Sequence, residues 1–211
     1  MTSTQDRDPE IGGAFYVPAE APDQLGVTTE QAARALAHPG FDAKQATAFF
    51  RNRVTAGHLI PYGRMTSDKR RPYLFRTDQV LVAAVQHRLA ECGLTGDPMH
   101  AAFLALNAWD ADDKAKLPNP THAPQRPAGH VMRLYLTGVR NFGFELITLR
   151  NTAGRGDVAF SARVRRFDPE TGNADGTSFR LPGPSWERRS IWATDLDPIL
   201  AYITREKPVV N

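Results

Sequence analysis

The chain has one cysteine, Cys92, in 211 residues. A single thiol closes no internal disulfide and supplies too few ligands for a cysteine-rich zinc site. Cys92 continues the apolar periodicity of a helix, so its expected place is the core. The sequence has no apolar run of membrane-spanning length, and its first residues form no basic, apolar, small-residue leader. These features predict a soluble, cytoplasmic protein with no membrane partner. Catalytic signatures are also scarce. There is no Gly-rich phosphate loop, no paired metal-ligand motif and no nucleophile elbow. His122 and His130 stand eight apart across a Pro-rich stretch, a poor metal spacing, and Asp110, Asp112 and Asp113 read as a solvated helix end. The expectation is a non-enzyme that uses no cofactor or metal.

What the chain does have is positive charge gathered in one place. Between Lys44 and Arg76 lie eight basic residues (Lys44, Arg51, Arg53, Arg64, Lys69, Arg70, Arg71, Arg76) against Asp68 alone, a local net charge of +7 in a chain of net +3. Residues 1 to 30 carry six acids and one base, and Asp97 to Asp113 carries four acids and no base. A basic segment between acidic flanks is the footprint of a localised phosphate-binding surface.

Residues 1 to 24 lack a sustained period and predict an irregular acidic arm. Thr28 and Gln31 then stand at capping-box spacing, opening a helix from Thr29 to about Ala37 with Ala32, Ala33 and Leu36 on its buried face. His38-Pro39-Gly40 ends it. Asp42 caps a second helix, Ala43 to about Thr55, with a buried stripe of Ala46, Phe49, Phe50 and Val54. The opposite face carries Lys44, Gln45, Thr47, Ala48 and Arg51, side chains suited to base edges and phosphates if the helix enters a major groove. Taken alone, such a face is more often a solvated surface, and it is the neighbouring pattern that favours DNA.

Gly57 closes the second helix, and His58 to Pro61 predicts a short strand. A basic loop follows from Tyr62 to Arg71, containing Gly63, Arg64, Ser67, Lys69, Arg70 and Arg71, with a return strand at Pro72 to Phe75. Two strands joined by a basic tip form a wing able to reach phosphates or the minor groove. Thr77 caps a third helix carrying Val80, Leu81, Ala84, Val85, Leu89 and Cys92 as far as Gly93. The candidate DNA-contacting set is Thr29, Lys44, Gln45, Thr47, Arg51, Arg53, Tyr62, Arg64, Lys69, Arg70 and Arg71.

Three segments carry a family resemblance: Thr29-Glu30-Gln31-Ala32-Ala33, the Ala-Gly-His-Leu-Ile-Pro stretch at 56 to 61, and Tyr73-Leu74-Phe75-Arg76-Thr77-Asp78-Gln79-Val80. With these, residues 27 to 94 resemble the winged helix-turn-helix of the MerR-like and excisionase-like DNA-binding families. The resemblance implies duplex DNA recognition by the second helix, with Arg51 where the family commonly grips the backbone. Asn52 and Arg53 depart from it, standing where aromatic residues are frequent, as does Tyr73, where the wing often has an arginine. The turn at His38 to Phe41 is longer than the tight turn of the pattern. Wing contacts accordingly shift to Arg64 and Lys69 through Arg71. Gly93 to Pro98 interrupts the helical pattern, so the long dimerisation coiled coil of MerR-like regulators is not evident.

A supporting helix is expected from Asp97 to about Asp112, ending a domain over residues 27 to 116, and a Pro-rich linker over 117 to 129. Beyond it the period becomes alternating. Strands are expected at His130 to Thr137, Phe142 to Arg150 and Asp157 to Phe167, with a short edge strand at Ser178 to Leu181 and a closing helix at Asp195 to Arg205. The fold class is therefore α+β: an N-terminal winged helix-turn-helix and a C-terminal domain, 130 to 211, of antiparallel strands with a packed helix. Residues 126 to 166 hold eight arginines against two acids. They form a second nucleic-acid surface, the solvated face of a sheet, or part of a dimerisation or effector domain.

The leading functional expectation is a sequence-specific double-stranded DNA-binding transcription regulator. In it Lys44, Gln45 and Thr47 read base edges while Arg51, Arg53 and the wing hold the backbone. Its alternatives are an excisionase-like or architectural DNA-binding protein, or an adaptor that recruits a protein partner to DNA. Expected partners are duplex DNA, a second copy in a homodimer, and RNA polymerase or another regulator.

Overall fold

The computed structural model describes residues 26–65, 68–70, 72–107, 126–153, 156–167, 170–171 and 181–205. Among them are six helices and two three-stranded antiparallel sheets, a mixed α+β architecture. The chain divides into two compact units, Met1–Ala84 with Tyr202–Asn211, and Val85–Ala201.

The first unit contains β1 (Val27–Thr28), α1 (Thr29–Leu36), α2 (Ala43–Thr55), β2 (Pro61–Arg64), β3 (Tyr73–Phe75) and the start of α3 (Asp78–Glu91). Thr28 is both the last residue of β1 and the N-cap of α1. Its Oγ1 accepts from Gln31 N at 3.3 Å, and Gln31 Oε1 accepts from Thr28 N at 2.8 Å. This reciprocal pair satisfies two amides that the helix start leaves without an intrahelical acceptor. The inter-helix turn closes through His38 N to Phe41 O at 3.0 Å and Phe41 N to His38 O at 2.8 Å, with Gly40 at φ +90°. Its extra length is thus a hydrogen-bonded bridge. Asp42 and Gln45 repeat the capping box on α2, at 2.8 and 2.9 Å.

Small side chains let α1 and α2 pack closely: Ala32 and Ala33 on one, Ala46 on the other, all buried. Phe50 fills the space beneath and meets Phe75 edge-on, with ring centroids 4.9 Å apart. Phe49 and Val54, expected in the same stripe, are only half-buried. The sheet runs β1-β3-β2, so the return strand β3 is central and pairs Leu74 with Thr28 on one side and Gly63 on the other. Buried Gln79 at the start of α3 accepts from Ile60 N at 2.9 Å, fixing the approach to β2.

The second unit holds the rest of α3, α4 (Asp97–Asn107), α5 (Pro127–Leu136), β4 (Phe142–Asn151), β5 (Val158–Arg166), β6 (Trp186–Asp195) and most of α6 (Asp197–Arg205). Strand order is β5-β4-β6. Seven of the ten β4 residues are buried, as a central strand requires. Helix α4 packs on β5 and β4 and touches α5. The Asp197 carboxylate accepts from the amides of Asn141 and Phe142 at 2.6 and 3.1 Å, tying the start of α6 to the start of β4.

Three expectations are corrected. The strand expected at His58 to Pro61 lies at Pro61–Arg64 instead, running into the segment expected as a loop, because it is there that the chain pairs with Tyr73–Phe75. The segment expected as a strand at His130 to Thr137 is helical, because Pro127 starts a helix whose buried residues Ala128, Val131, Met132 and Tyr135 follow helical spacing. Cys92, expected in the core, is exposed. Helix α3 ends at Glu91, and Gly93 (φ +74°) turns the chain so that Leu94 N bonds to Leu89 O at 2.9 Å. Strand β6 was not expected. The arm at 1 to 24, the linker over 117 to 125, Trp109, Asp110, Asp112, Asp113, His122 and Ser178 to Arg180 lie outside the described residues.

Candidate nucleic-acid interface

The buried residues Ala46 and Phe50 fix which side of α2 faces outward. Lys44, Gln45, Ala48, Arg51, Asn52 and Thr55 are exposed. At helical spacing, Lys44, Ala48, Arg51 and Thr55 form one row, and Gln45 and Asn52 form the row beside it. This face carries two cations, two side-chain amides and no acid. Asn52 was read only as a departure from a family pattern, although its spacing of seven from Gln45 placed it on this face.

Within that face the side chains differ in freedom. Gln45 Oε1 accepts from Asp42 N, which occupies one of the oxygen's two lone pairs and turns it toward the helix start. Paired contact with adenine needs both the oxygen and the nitrogen of the amide, so in such a contact the oxygen is shared with the cap, while its amide donors reach an acceptor without competition. Thr47 is half-buried, and its Oγ1 donates to Ala43 O at 2.7 Å, which draws it back along the helix. Arg51 is exposed at the middle of the outer row. Arg53 is half-buried with its guanidinium 5.3 Å from the centre of the Phe49 ring, and burial pulls its pKa below the usual arginine value. Its location suits support of the helix more than contact with an outside ligand. Thr29 is half-buried in the first turn of α1.

Beside α2 stands the β2–β3 hairpin. The register shifts between Pro61 and Gly63, which places Tyr62 at a bulge. Arg64 faces Tyr73 across the ladder. Its guanidinium lies 4.2 Å from the ring centre and its Nη2 donates to the Tyr73 hydroxyl at 2.7 Å. The tyrosine that departs from the family pattern thus holds the arginine that follows the bulge. The ladder extends through Met65 N to Pro72 O at 2.9 Å. In the tip, Asp68 Oδ1 accepts from Arg70 N at 2.8 Å, a local turn in which the one acid of the basic segment is used structurally, and Lys69 and Arg70 are exposed. Arg71 and Ser67 lie outside the described residues, as does the Tyr62 side chain.

Among the described residues, several arginines of the second unit are engaged within the fold. Glu145 on β4 is buried between Arg163 Nε at 2.6 Å and Arg165 Nη1 at 3.1 Å. Arg140 covers Tyr135, 3.9 Å from its ring centre, and donates to its carbonyl. Arg133 Nη2 lies 3.2 Å from His130 Nδ1, and burial together with the Arg133 charge lowers the His130 pKa. Arg150, Arg188 and Arg189 are exposed. Among the described residues no helix is long and apolar enough to cross a membrane. Compared with protein-family models, curated proteins and solved structures, the chain matches none.

Proposed function

We propose that the first unit is a winged helix-turn-helix module of MerR-like or excisionase-like type, and that the chain is a sequence-specific double-stranded DNA-binding transcription regulator. The observation that carries this reading is the acid-free outer face of α2 (Lys44, Gln45, Ala48, Arg51, Asn52, Thr55), on a helix whose inner residue Phe50 packs on a three-stranded sheet with a basic hairpin tip. The small Ala48 in the middle of the face allows close approach to base edges. Gln45 and Asn52 supply donors for readout, while Lys44 and Arg51 supply cations for phosphates. Arg64, Lys69 and Arg70 on the hairpin extend the backbone grip.

Selection of bound sequences from a random duplex library tests the reading. A defined motif is expected for the natural chain. Arg51→Ala should weaken binding to all sites and reduce the magnitude of the salt slope by about one. Asn52→Ala should relax preference at one position. Absence of any enriched sequence overturns the reading.

A further inference from the structure

Of the four sheet edges among the described residues, three are poor templates for another strand. β2 is four residues long and bulged, and β1 is two residues long. β5 has α4 packed on it and ends in Arg163, Arg165 and Arg166, the first two held by Glu145 of β4 and the third exposed. β6 differs. It is ten residues long, contains no Pro or Lys, and none of the described helices packs closely on it. Its first half is guarded in the usual way, by Glu187, Arg188 and Arg189 and by a bulge: Ser190 pairs with Thr148 and Arg188 with Leu149, leaving Arg189 as the extra residue. Its second half is Ser190-Ile191-Trp192-Ala193-Thr194, five uncharged residues of which Ile191, Trp192 and Thr194 favour strands, with Ile191 44% exposed.

We propose that this half of β6 pairs antiparallel with the same strand of a second copy of the chain, joining two three-stranded sheets into one of six strands. Charge selects the register. A two-fold centred on Ile191 sets Glu187 against Asp195 twice, acid against acid. A two-fold centred on Ser190 or on Ala193 pairs Asp195 with no cation of the strand. Centred on Trp192, the pairing sets Arg189 against Asp195 of the second copy at both ends, Ile191 against Ala193, and Trp192 against itself. Arg189 holds Glu187 within its own strand, but a guanidinium has five N–H donors and so retains donors for a second carboxylate. Asp195 uses Oδ1 to accept from Asp197 N at 2.9 Å, leaving Oδ2 for the arginine. Self-complementary ends around an uncharged, exposed centre identify a second copy as the occupant.

The test is sedimentation equilibrium of the full chain. The natural protein is expected to be a dimer at tens of micromolar, and Ile191→Lys a monomer with unchanged far-ultraviolet circular dichroism. Arg189→Glu turns two ion pairs into two like-charge pairs and should weaken the dimer by about tenfold or more. Adding Asp195→Asn, which keeps the hydrogen bond to Asp197 N, should recover most of that loss. A monomeric natural protein overturns the proposal, as does a dimer indifferent to Ile191→Lys. Failure of Asp195→Asn to rescue Arg189→Glu overturns the register. The inference does not rest on DNA binding: a dimer that selects no DNA sequence would overturn the proposed function alone, and a monomer that selects a motif would overturn this inference alone.

Discussion

Gln45 holds two assignments that one substitution separates. Its Oε1 completes the capping box of α2, while its amide donors lie on the face assigned to DNA. Gln45→Glu keeps an oxygen for Asp42 N and places a negative charge in a first turn that has none, where the helix dipole favours it. Stability should hold or rise by about 0.3–1 kcal/mol. Gln45→Ala removes the acceptor and should cost about 0.5–1 kcal/mol. Binding should not follow stability. The glutamate has no donor for the acceptor atoms of purines or thymine, and loss of one good base contact costs about 1–3 kcal/mol, or about 5- to 150-fold in Kd. A carboxylate also accepts from the cytosine amino group, so the glutamate variant should shift preference toward cytosine at one position. Urea unfolding and fluorescence anisotropy on the selected duplex read the two effects. If the glutamate variant is as unstable as the alanine variant, the cap assignment fails. If it binds the same sequences with the same affinity, the start of α2 is not at the bases.

Phe50→Ala, which empties a fully buried site and removes the edge-on contact with Phe75, should cost about 3–5 kcal/mol in urea unfolding, a large share of a typical 5–15 kcal/mol. Glu145→Ala leaves Arg163 and Arg165 mostly buried without their shared carboxylate and should cost about 3–5 kcal/mol. Replacing all three residues by leucine should cost less than that single change, and a larger cost would refute the account. Because His130 titrates below its ordinary value near 6.5 in the folded chain, the unfolded chain takes up the proton first, and this contribution to stability is lost as pH falls through that value. His130→Gln should therefore narrow the difference in urea midpoint between about pH 7.5 and about pH 5.5.

The capping box of α1 was legible in the sequence because it is a contact over three residues whose accepting oxygens are named by residue type, and Asp42 was legible as the cap of α2, but Gln45 as its reciprocal partner was not. The buried face of α1 was legible for the same local reason, whereas α3 is buried on every side from Asp78 to Ala83, so periodicity predicted the helix but not its surroundings, and Cys92 at its end is exposed. What escaped depends on partners distant in sequence. β6 is an edge strand whose sequence, with charges at Glu187, Arg188 and Arg189 and then Ile191, Trp192 and Ala193 in a row, shows no apolar–polar alternation, and it is defined by its pairing with β4. In α5, His130, Arg133 and Thr137 stand three and four apart, and this spacing together with Pro127 at the first turn was the signal that favoured helix. The outer face of α2 was legible except for Asn52. The engagement of Gln45, Thr47 and Arg53 was not, because it depends on side-chain contacts that spacing does not determine.

The stacking of Arg64 on Tyr73 has a kinetic and entropic consequence. A free arginine side chain samples many rotamers, and holding it for a ligand costs up to about 2 kcal/mol. In this hairpin the cross-strand ring and the hydroxyl at 2.7 Å confine the guanidinium before any ligand arrives. Whatever Arg64 meets therefore encounters a preset charge with most of its disorder already removed, and the contact is expected to lengthen residence more than it quickens capture.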